Sequence, residues 1–244
     1  GTPKWIFDPA QTTAPVVPLD FGLKSEGRPA LYGSPADPNY RQHYFDLLRA
    51  VAAHLRANNA HYRALAYIKP SGANLHTHEN RLPNDTPEQL ATWAGPGRYT
   101  PSALYEFYRL QEELLAAEFP DKSLNYALIQ DGFPVINEAG EYLGQPTPPT
   151  QPLPTGALQT ETILNQGRTN HGLAFVVAHN GLLRKPDFCP GSGVHPIVVD
   201  PNFHYVGSGC PNRWVLEQAA RGQITGYQTT NDLLTDGDVD SALQ

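Results

Sequence analysis

The feature that most constrains the fold of this chain is an alternation of helical and strand patterns along residues 37–229. Apolar residues recur at helical spacing over about 37–58, 100–119, 158–166 and 212–221. A short apolar segment typical of a buried strand follows each helical pattern, and these segments are 64–69, 123–130, 173–178 and 223–229. Four helices alternating with four strands predict a parallel sheet with helical crossovers.

Two architectures fit this order, a doubly wound open sheet and a (β/α)8 barrel. Neither glycine-rich phosphate-binding motif, GxGxxG or GxxxxGK[ST], follows a strand, so the nucleotide-binding doubly wound sheets lose support. Polar residues follow every predicted strand instead, and the active sites of barrels are built from the loops at that position. We therefore predict an α/β fold of the (β/α)8 TIM-barrel type.

Composition narrows the class of protein further. The 24 prolines and 21 glycines of the 244 residues exclude a coiled coil or helical bundle and imply many shaped loops. A net charge of −7 argues against a nucleic-acid partner, because phosphate binding requires a basic face. No apolar run approaches the length of a membrane-spanning helix, so we expect no membrane span. No cofactor is predicted.

The first part of the chain differs from the rest. Residues 1–36 are rich in proline with little periodicity, so we predict a loop segment there and a barrel segment over 37–244. The chain begins with glycine and contains no methionine, which leads us to expect a processed product or a segment of a longer protein.

The two cysteines, Cys189 and Cys210, lie in one Pro/Gly-rich stretch, CPGSGVHPIVVDPNFHYVGSGC. They do not form a CxxC motif, and two thiols alone cannot make a structural zinc site. The alternatives are a disulfide that closes this loop and two unrelated free thiols. We predict the disulfide, and with it an extracellular or cell-surface location.

Four sequence runs resemble a known family, and they are YIKPSGANLHTHENRLPN, YTPSALYEFYRLQEELLAAEFPDKSLNYALIQDGFP, FVVAHNGL and ITGYQTTND. They resemble the glycosidase-like (β/α)8 barrels of bacterial and phage surface proteins. That family is related to the glycoside hydrolase superfamily with its acid/base at strand four and its nucleophile at strand seven. The opening TPKWIFDP is similar to the segment after the family's third strand. The resemblance implies that the four strands are strands four to seven, and that the remaining strands lie outside this sequence.

The resemblance also implies catalytic roles. Glu79 takes the position of the proton donor, although His78 precedes it where the superfamily commonly has asparagine. Gln228 takes the position of the nucleophile, and an amide cannot form a glycosyl ester, so the retaining mechanism would be lost. Asp131 could act as a general base in an inverting reaction. The alternatives are that Asp131 caps the turn DGFP and that Glu79 pairs with Arg81 or faces solvent.

Further polar and aromatic residues follow the strands. We predict as substrate-binding residues His76, His78, Trp93, His179, Asn180, Tyr227 and Asn231. Trp93, Tyr99, Phe133, Tyr205 and Tyr227 could stack on a sugar or pack the loops against the barrel. His76 and His78 could bind a divalent ion with Glu79, but histidines in a polar loop more often face solvent, so we predict no metal site.

These observations predict an extracytoplasmic, glycosidase-like barrel that binds carbohydrate, with hydrolysis left open by Gln228. The alternative is a non-catalytic structural component of a cell-surface layer, a filament or a phage tail. Either function leaves room for a homo-oligomer or a larger surface assembly. A carboxylate facing Glu79 across the strand ends would favour the enzyme, and Gln228 favours the structural class.

Overall fold

The structure of the chain is a computed structural model that describes residues 2–25, 27–73, 80–84, 86–95, 98–127, 133–134, 136–141, 155–179 and 225–227. Its strands are β1 (Leu19–Ser25), β2 (Arg28–Tyr32), β3 (Tyr67–Ile68), β4 (Ser123–Ala127), β5 (Phe175–His179) and β6 (Thr225–Tyr227). Its α-helices are α1 (Pro38–Ala57), α2 (Asn59–Ala64), α3 (Pro87–Trp93), α4 (Pro101–Glu118) and α5 (Thr155–His171).

The two long helices begin where the sequence predicts, and a side chain caps each start. The Asp37 carboxylate accepts hydrogen bonds from the first turn of α1, at 2.8 Å from Asn39 N and 3.2 Å from Tyr40 N. The Thr100 hydroxyl accepts one from Ala103 N at 3.1 Å at the start of α4. Both helices have proline at the first position, where no N–H is required. These bonds confirm the two helix starts.

The four predicted strands form one sheet in the order β3-β4-β5-β6. All three pairs are parallel, and the partners include Ile68 with Leu124, Tyr126 with Val177 and Ala178 with Gly226. The structure therefore confirms that these strands are consecutive, parallel neighbours. The closed barrel goes beyond these four strands and stays a prediction.

Some element bounds differ from the sequence-based prediction. Strand β3 has two residues instead of six, because Asn58 caps a second helix, α2, and its side-chain oxygen accepts from His61 N at 3.2 Å. Strand β5 begins at Phe175, because Gly172 and the two residues after it form a 3₁₀ turn. The helix predicted at 212–221 lies outside the described residues.

A β-hairpin in the proline-rich segment was not predicted. Strands β1 and β2 pair antiparallel, and Leu19 is opposite Tyr32. Gly22, with a φ of 69°, interrupts β1 at an irregularity in the register, which hides the strand's alternation from a pattern search. Phe21 packs on Trp93 of α3 with ring centroids 4.7 Å apart. The hairpin therefore shares the hydrophobic core of the later helices.

The core lies between the parallel sheet and helices α4 and α5. Tyr126 of β4 stacks on Phe175 of β5 at 5.0 Å, and both are fully buried. A Cβ atom on Gly167 would lie 2.1 Å from the Phe175 ring, so glycine lets α5 approach β5 closely. Within the described ranges, no helix combines the length and apolar character needed to cross a bilayer.

Candidate functional site

The candidate site is the edge of the sheet where the parallel strands end. Strand β3 ends at Ile68, β4 at Ala127, β5 at His179 and β6 at Tyr227. Because parallel neighbours run in one direction, these carboxyl ends share the same edge. In open and closed α/β sheets alike, ligands bind at that edge.

Asn80 joins the ends of two of these strands. Its backbone N–H donates to the carbonyl oxygen of Ala127 at 2.8 Å. Its side-chain amide nitrogen donates to the same oxygen at 3.2 Å and to the carbonyl oxygen of Pro70 at 3.3 Å. The residue is fully buried. Asn80 therefore fixes the chain directly after the HTHE run to the last residue of β4.

Two tyrosines of α1 hold the loop that follows β3. The Tyr40 hydroxyl donates to the carbonyl oxygen of Gly72 at 2.7 Å, and the Tyr44 hydroxyl donates to that of Ser71 at 2.6 Å. Burial raises the pKa of both phenols, so they keep the proton that each bond needs. The first residues of this loop are therefore attached to a long helix.

Gln111 of α4 connects the same loop to the sheet. Its amide nitrogen donates to the carbonyl oxygen of Ser71 at 2.5 Å and to the Tyr44 hydroxyl at 3.1 Å. Its amide oxygen accepts from the Tyr126 hydroxyl of β4 at 2.8 Å. Gln111 is fully buried, and these bonds satisfy both ends of its amide. The loop is thereby tied to α1, α4 and β4.

Two of the predicted site residues are brought together by the sheet. His179 ends β5 and Tyr227 ends β6, and the two are register partners in the parallel ladder. Trp93 is also described, and the other predicted positions lie outside the described residues; they are Glu79, Asp131, Gln228, His76, His78, Asn180, Asn231, Cys189 and Cys210.

Three of the aromatic residues considered for sugar stacking lie in the core. Trp93, Tyr99 and Phe133 are at most 1% exposed. The Trp93 indole N–H donates to the carbonyl oxygen of Pro83 at 2.7 Å, and its ring contacts Phe21 and Tyr99. No face of the Trp93 ring is open to a ligand, so the structure supports the packing alternative and not the substrate-binding role.

The residues that organise this edge were not identified from the sequence. The sequence places Tyr40, Tyr44 and Gln111 only within the helical patterns over 37–58 and 100–119. The sequence does contain one signal for these residues. Their spacing places them toward the core, and a polar side-chain atom in the core requires a hydrogen-bond partner. Asn80 lies within the HTHEN run, from which only the histidines and the glutamate were predicted as site residues.

Comparisons of this chain with protein-family models, with curated proteins and with solved structures find no match. The described residues combine helices and strands and include a four-stranded parallel sheet whose carboxyl edge is the candidate site. The likeness to glycosidase-like barrels stays a prediction drawn from the sequence runs quoted above.

Proposed function

We propose that this chain is an extracytoplasmic, glycosidase-like protein that binds carbohydrate at the carboxyl edge of its parallel sheet. One observation carries the proposal. The polar residues named from the sequence directly adjoin the described strand ends, since Asn180 follows His179 of β5 and Gln228 follows Tyr227 of β6. Glu79 directly precedes Asn80, which is bonded to the end of β4.

The proposed chemistry follows from the residue types. Hydrolysis of a glycoside needs two carboxyl groups, one of which protonates the leaving oxygen. Glu79 supplies that acid. Gln228 stands at the nucleophile's position, and a neutral amide neither attacks the anomeric carbon nor stabilises an oxocarbenium charge. The chain therefore binds sugars without retaining hydrolysis, and Asp131 is the remaining candidate base for an inverting reaction.

The bonds around Asn80 support a defined position for the proposed acid. A general acid has to lie within hydrogen-bond reach of one particular oxygen, so the backbone that carries it has to be fixed. The loop from β3 to Asn80 is held at its start by Tyr40 and Tyr44 and at its end by Asn80 itself. Such fixed ends suit a loop that carries a binding or catalytic residue.

The test is binding of neutral sugars, followed by hydrolysis. The intact chain is titrated with a panel of mono- and disaccharides by calorimetry and assayed on their aryl glycosides. Glu79→Gln is compared with the matched control Glu88→Gln, an exposed glutamate at the start of α3. We expect the intact chain to bind a sugar and to show no retaining turnover. We expect Glu79→Gln to weaken sugar binding and Glu88→Gln to leave it unchanged. A panel in which no sugar binds the intact chain overturns the proposal.

A non-catalytic structural role is the second candidate, and Gln228 is the observation that favours it, because it removes the carboxylate that hydrolysis by retention requires. This role predicts that the purified chain forms ordered assemblies at moderate concentration. Sedimentation and negative-stain microscopy measure this directly. If the chain is strictly monomeric and binds sugar, the result favours the carbohydrate-binding function over the structural role.

A further inference from the structure

An open cavity of about 370 Å³ lies beside the loop that follows β3. Its walls come from segments far apart in the sequence: the N-terminal residues, the end of β2, helix α1 and the loop itself. The side chains that matter here are Trp5, Tyr32, Tyr40, His43, Tyr44 and Leu47. A volume of several hundred Å³ with mainly aromatic walls and few polar groups is typical of a small-molecule site.

Trp5 is presented to solvent by a fixed segment. It lies in a 3₁₀ turn, Lys4–Phe7, whose Ile6 is buried and accepts a hydrogen bond from Val16 N at 2.8 Å. The Trp5 side chain remains 44% exposed, and its ring meets that of His43 edge-on at 5.1 Å. An exposed indole on an anchored backbone offers a flat apolar face to a ligand at little cost in entropy.

Two tyrosine rings of the cavity wall pack directly against glycine backbone, so this part of the wall is preformed. A Cβ atom on Gly33 would lie 2.1 Å from the Tyr40 ring, and one on Gly72 would lie 2.5 Å from the Tyr44 ring. Gly72 also has a φ of 105°, which other residues rarely adopt. The two rings therefore rest directly on backbone, and no side chain fills the space at those points.

The polar groups of the cavity indicate a neutral, hydroxyl-bearing ligand. His43 lines the cavity, and its Nε2 lies 2.8 Å from the carbonyl oxygen of Ala14, which can only accept, so this nitrogen carries a hydrogen. Thr2 and Ser71 add hydroxyl groups to the lining. None of the described lining residues is an aspartate, glutamate, lysine or arginine.

The cavity borders both ends of the segment that carries Glu79. Ser71 and Gly72 precede that segment, Leu82 follows it, and all three line the cavity. We propose that this cavity is a subsite for one neutral pyranose ring, stacked on Trp5 and hydrogen-bonded through its hydroxyls to the polar lining. This inference rests on the proposed function, because it names where the bound carbohydrate makes its aromatic contact.

The test compares Trp5→Ala with two matched variants. Trp5→Phe keeps an aromatic face, and Tyr67→Ala removes an aromatic side chain that is 51% exposed on β3 and does not line the cavity. The probes are the neutral mono- and disaccharides used above, titrated by calorimetry and by tryptophan fluorescence. We expect Trp5→Ala to weaken binding about tenfold, the scale of one aromatic contact. Trp5→Phe should keep most of the affinity, and Tyr67→Ala all of it.

The possible results separate this inference from the function on which it rests. If Trp5→Ala binds sugars as tightly as the intact chain while Glu79→Gln does not, the subsite is wrong and the proposed function stands. If no sugar binds the intact chain, both are wrong. Thermal unfolding verifies that Trp5→Ala is folded. Should it not fold, Leu47→Arg replaces it, because this exposed lining position on α1 tolerates a long side chain that obstructs the cavity and should weaken binding.

Discussion

A single buried side chain, Asn80, makes the connection between two strand ends on which the candidate site depends. Its amide nitrogen serves two carbonyl oxygens, those of Pro70 and Ala127. Asn80→Ala removes both side-chain bonds and takes this donor from the carbonyl oxygen of Pro70, while that of Ala127 keeps the backbone N–H, so it should lower the free energy of unfolding by about 1–3 kcal/mol. Asn80→Asp should be at least as damaging, because a carboxylate offers no donor and repels the two oxygens.

Denaturant unfolding of the three forms measures this prediction. Asn39→Ala is the control, because Asn39 donates one exposed side-chain bond to the carbonyl oxygen of Pro15. We expect that change to have an effect below about 0.5 kcal/mol, as for most exposed positions. Equal unfolding midpoints for Asn80→Ala and Asn39→Ala would contradict the role assigned to Asn80.

The paired cysteines are a second prediction at this scale. A bond between Cys189 and Cys210 means that thiol titration of the denatured, unreduced chain finds no free thiol. Reduction should lower the free energy of unfolding by about 3 kcal/mol, because the open loop returns conformational entropy to the unfolded chain. Two titratable thiols per chain before reduction would show that the disulfide is absent.

Individual side chains show where prediction from sequence ends. The starts of α1 and α4 were predictable because a cap such as Asp37 or Thr100 acts on amides two or three residues away, all visible in one short stretch. The partner of Asn80 is Ala127, 47 residues further along, and no local pattern indicates it. The choice between stacking and packing for Trp93 was left open for the same reason, because the carbonyl oxygen that satisfies its indole belongs to a loop whose path follows from the tertiary fold.

Among the described secondary-structure elements, the long helices α1 and α4 were predicted with better bounds than the strands, whereas the short helices α2 and α3 were not predicted. A long helix such as α4 repeats its apolar face over several turns, so the pattern is redundant. Strand β3 has two residues, too few for any period, and β1 is interrupted at Gly22. The order of the parallel strands was nevertheless predictable, because it follows from connection lengths and crossover rules and does not depend on strand bounds.

The interface between α4 and α5 buries an acid that titrates far from its ordinary range. The Glu112 side chain is fully buried, and its nearer carboxylate oxygen lies 3.7 Å from His171 Nε2. Burial, helped by the charge of Glu113, raises the pKa of Glu112 to about 8. Burial also lowers the pKa of His171, so the two groups face each other uncharged near neutral pH.

The sign of the resulting pH dependence follows from proton binding. Between pH 4.5 and about 8 the folded chain keeps a proton on Glu112 that the unfolded chain releases, so this group's contribution to stability falls as pH rises through that window. His171 acts in the opposite direction below its ordinary pKa of 6.5. Glu112→Gln removes the first effect and leaves the second.

We therefore expect Glu112→Gln to be more stable than the unmodified chain at about pH 9, by about 1 kcal/mol or more, and the difference to shrink toward about pH 5. Unfolding midpoints across that range measure it. Asp46→Asn is the control, because Asp46 is an exposed acid of α1 that pairs with Arg49 at 2.9 Å and is not among the groups that shift the pKa of Glu112. A difference between the two forms that does not change with pH would rule out titration of Glu112 as its cause.

For the molecule as a whole, the four-stranded sheet leaves one geometric question, which is the distance between its two outer strands, β3 and β6. Three strand spacings in a flat sheet amount to about 14 Å. A retaining pair of carboxyl groups requires about 5–5.5 Å. A sheet that curves toward a barrel would bring groups at these two strand ends that close. Glu79 lies on the loop after β3, next to Asn80, so we propose that curvature and this loop together set its distance from Gln228.

The corresponding prediction is that Gln228→Glu gains retaining hydrolysis of an aryl glycoside that the intact chain binds. The new carboxylate would attack the anomeric carbon while Glu79 gives its proton to the leaving oxygen, and water would then release the sugar with Glu79 as base. The rate should be bell-shaped in pH, and Glu79→Gln in the same chain should abolish it.

Product stereochemistry by NMR measures the outcome. Gln223→Glu is the matched control, because it makes the same change five residues earlier in the chain, at a position with no predicted site role, and should add no activity. An inverted product from the unmodified chain, lost in Asp131→Asn, would instead assign the reaction to Glu79 and Asp131 across a wider gap.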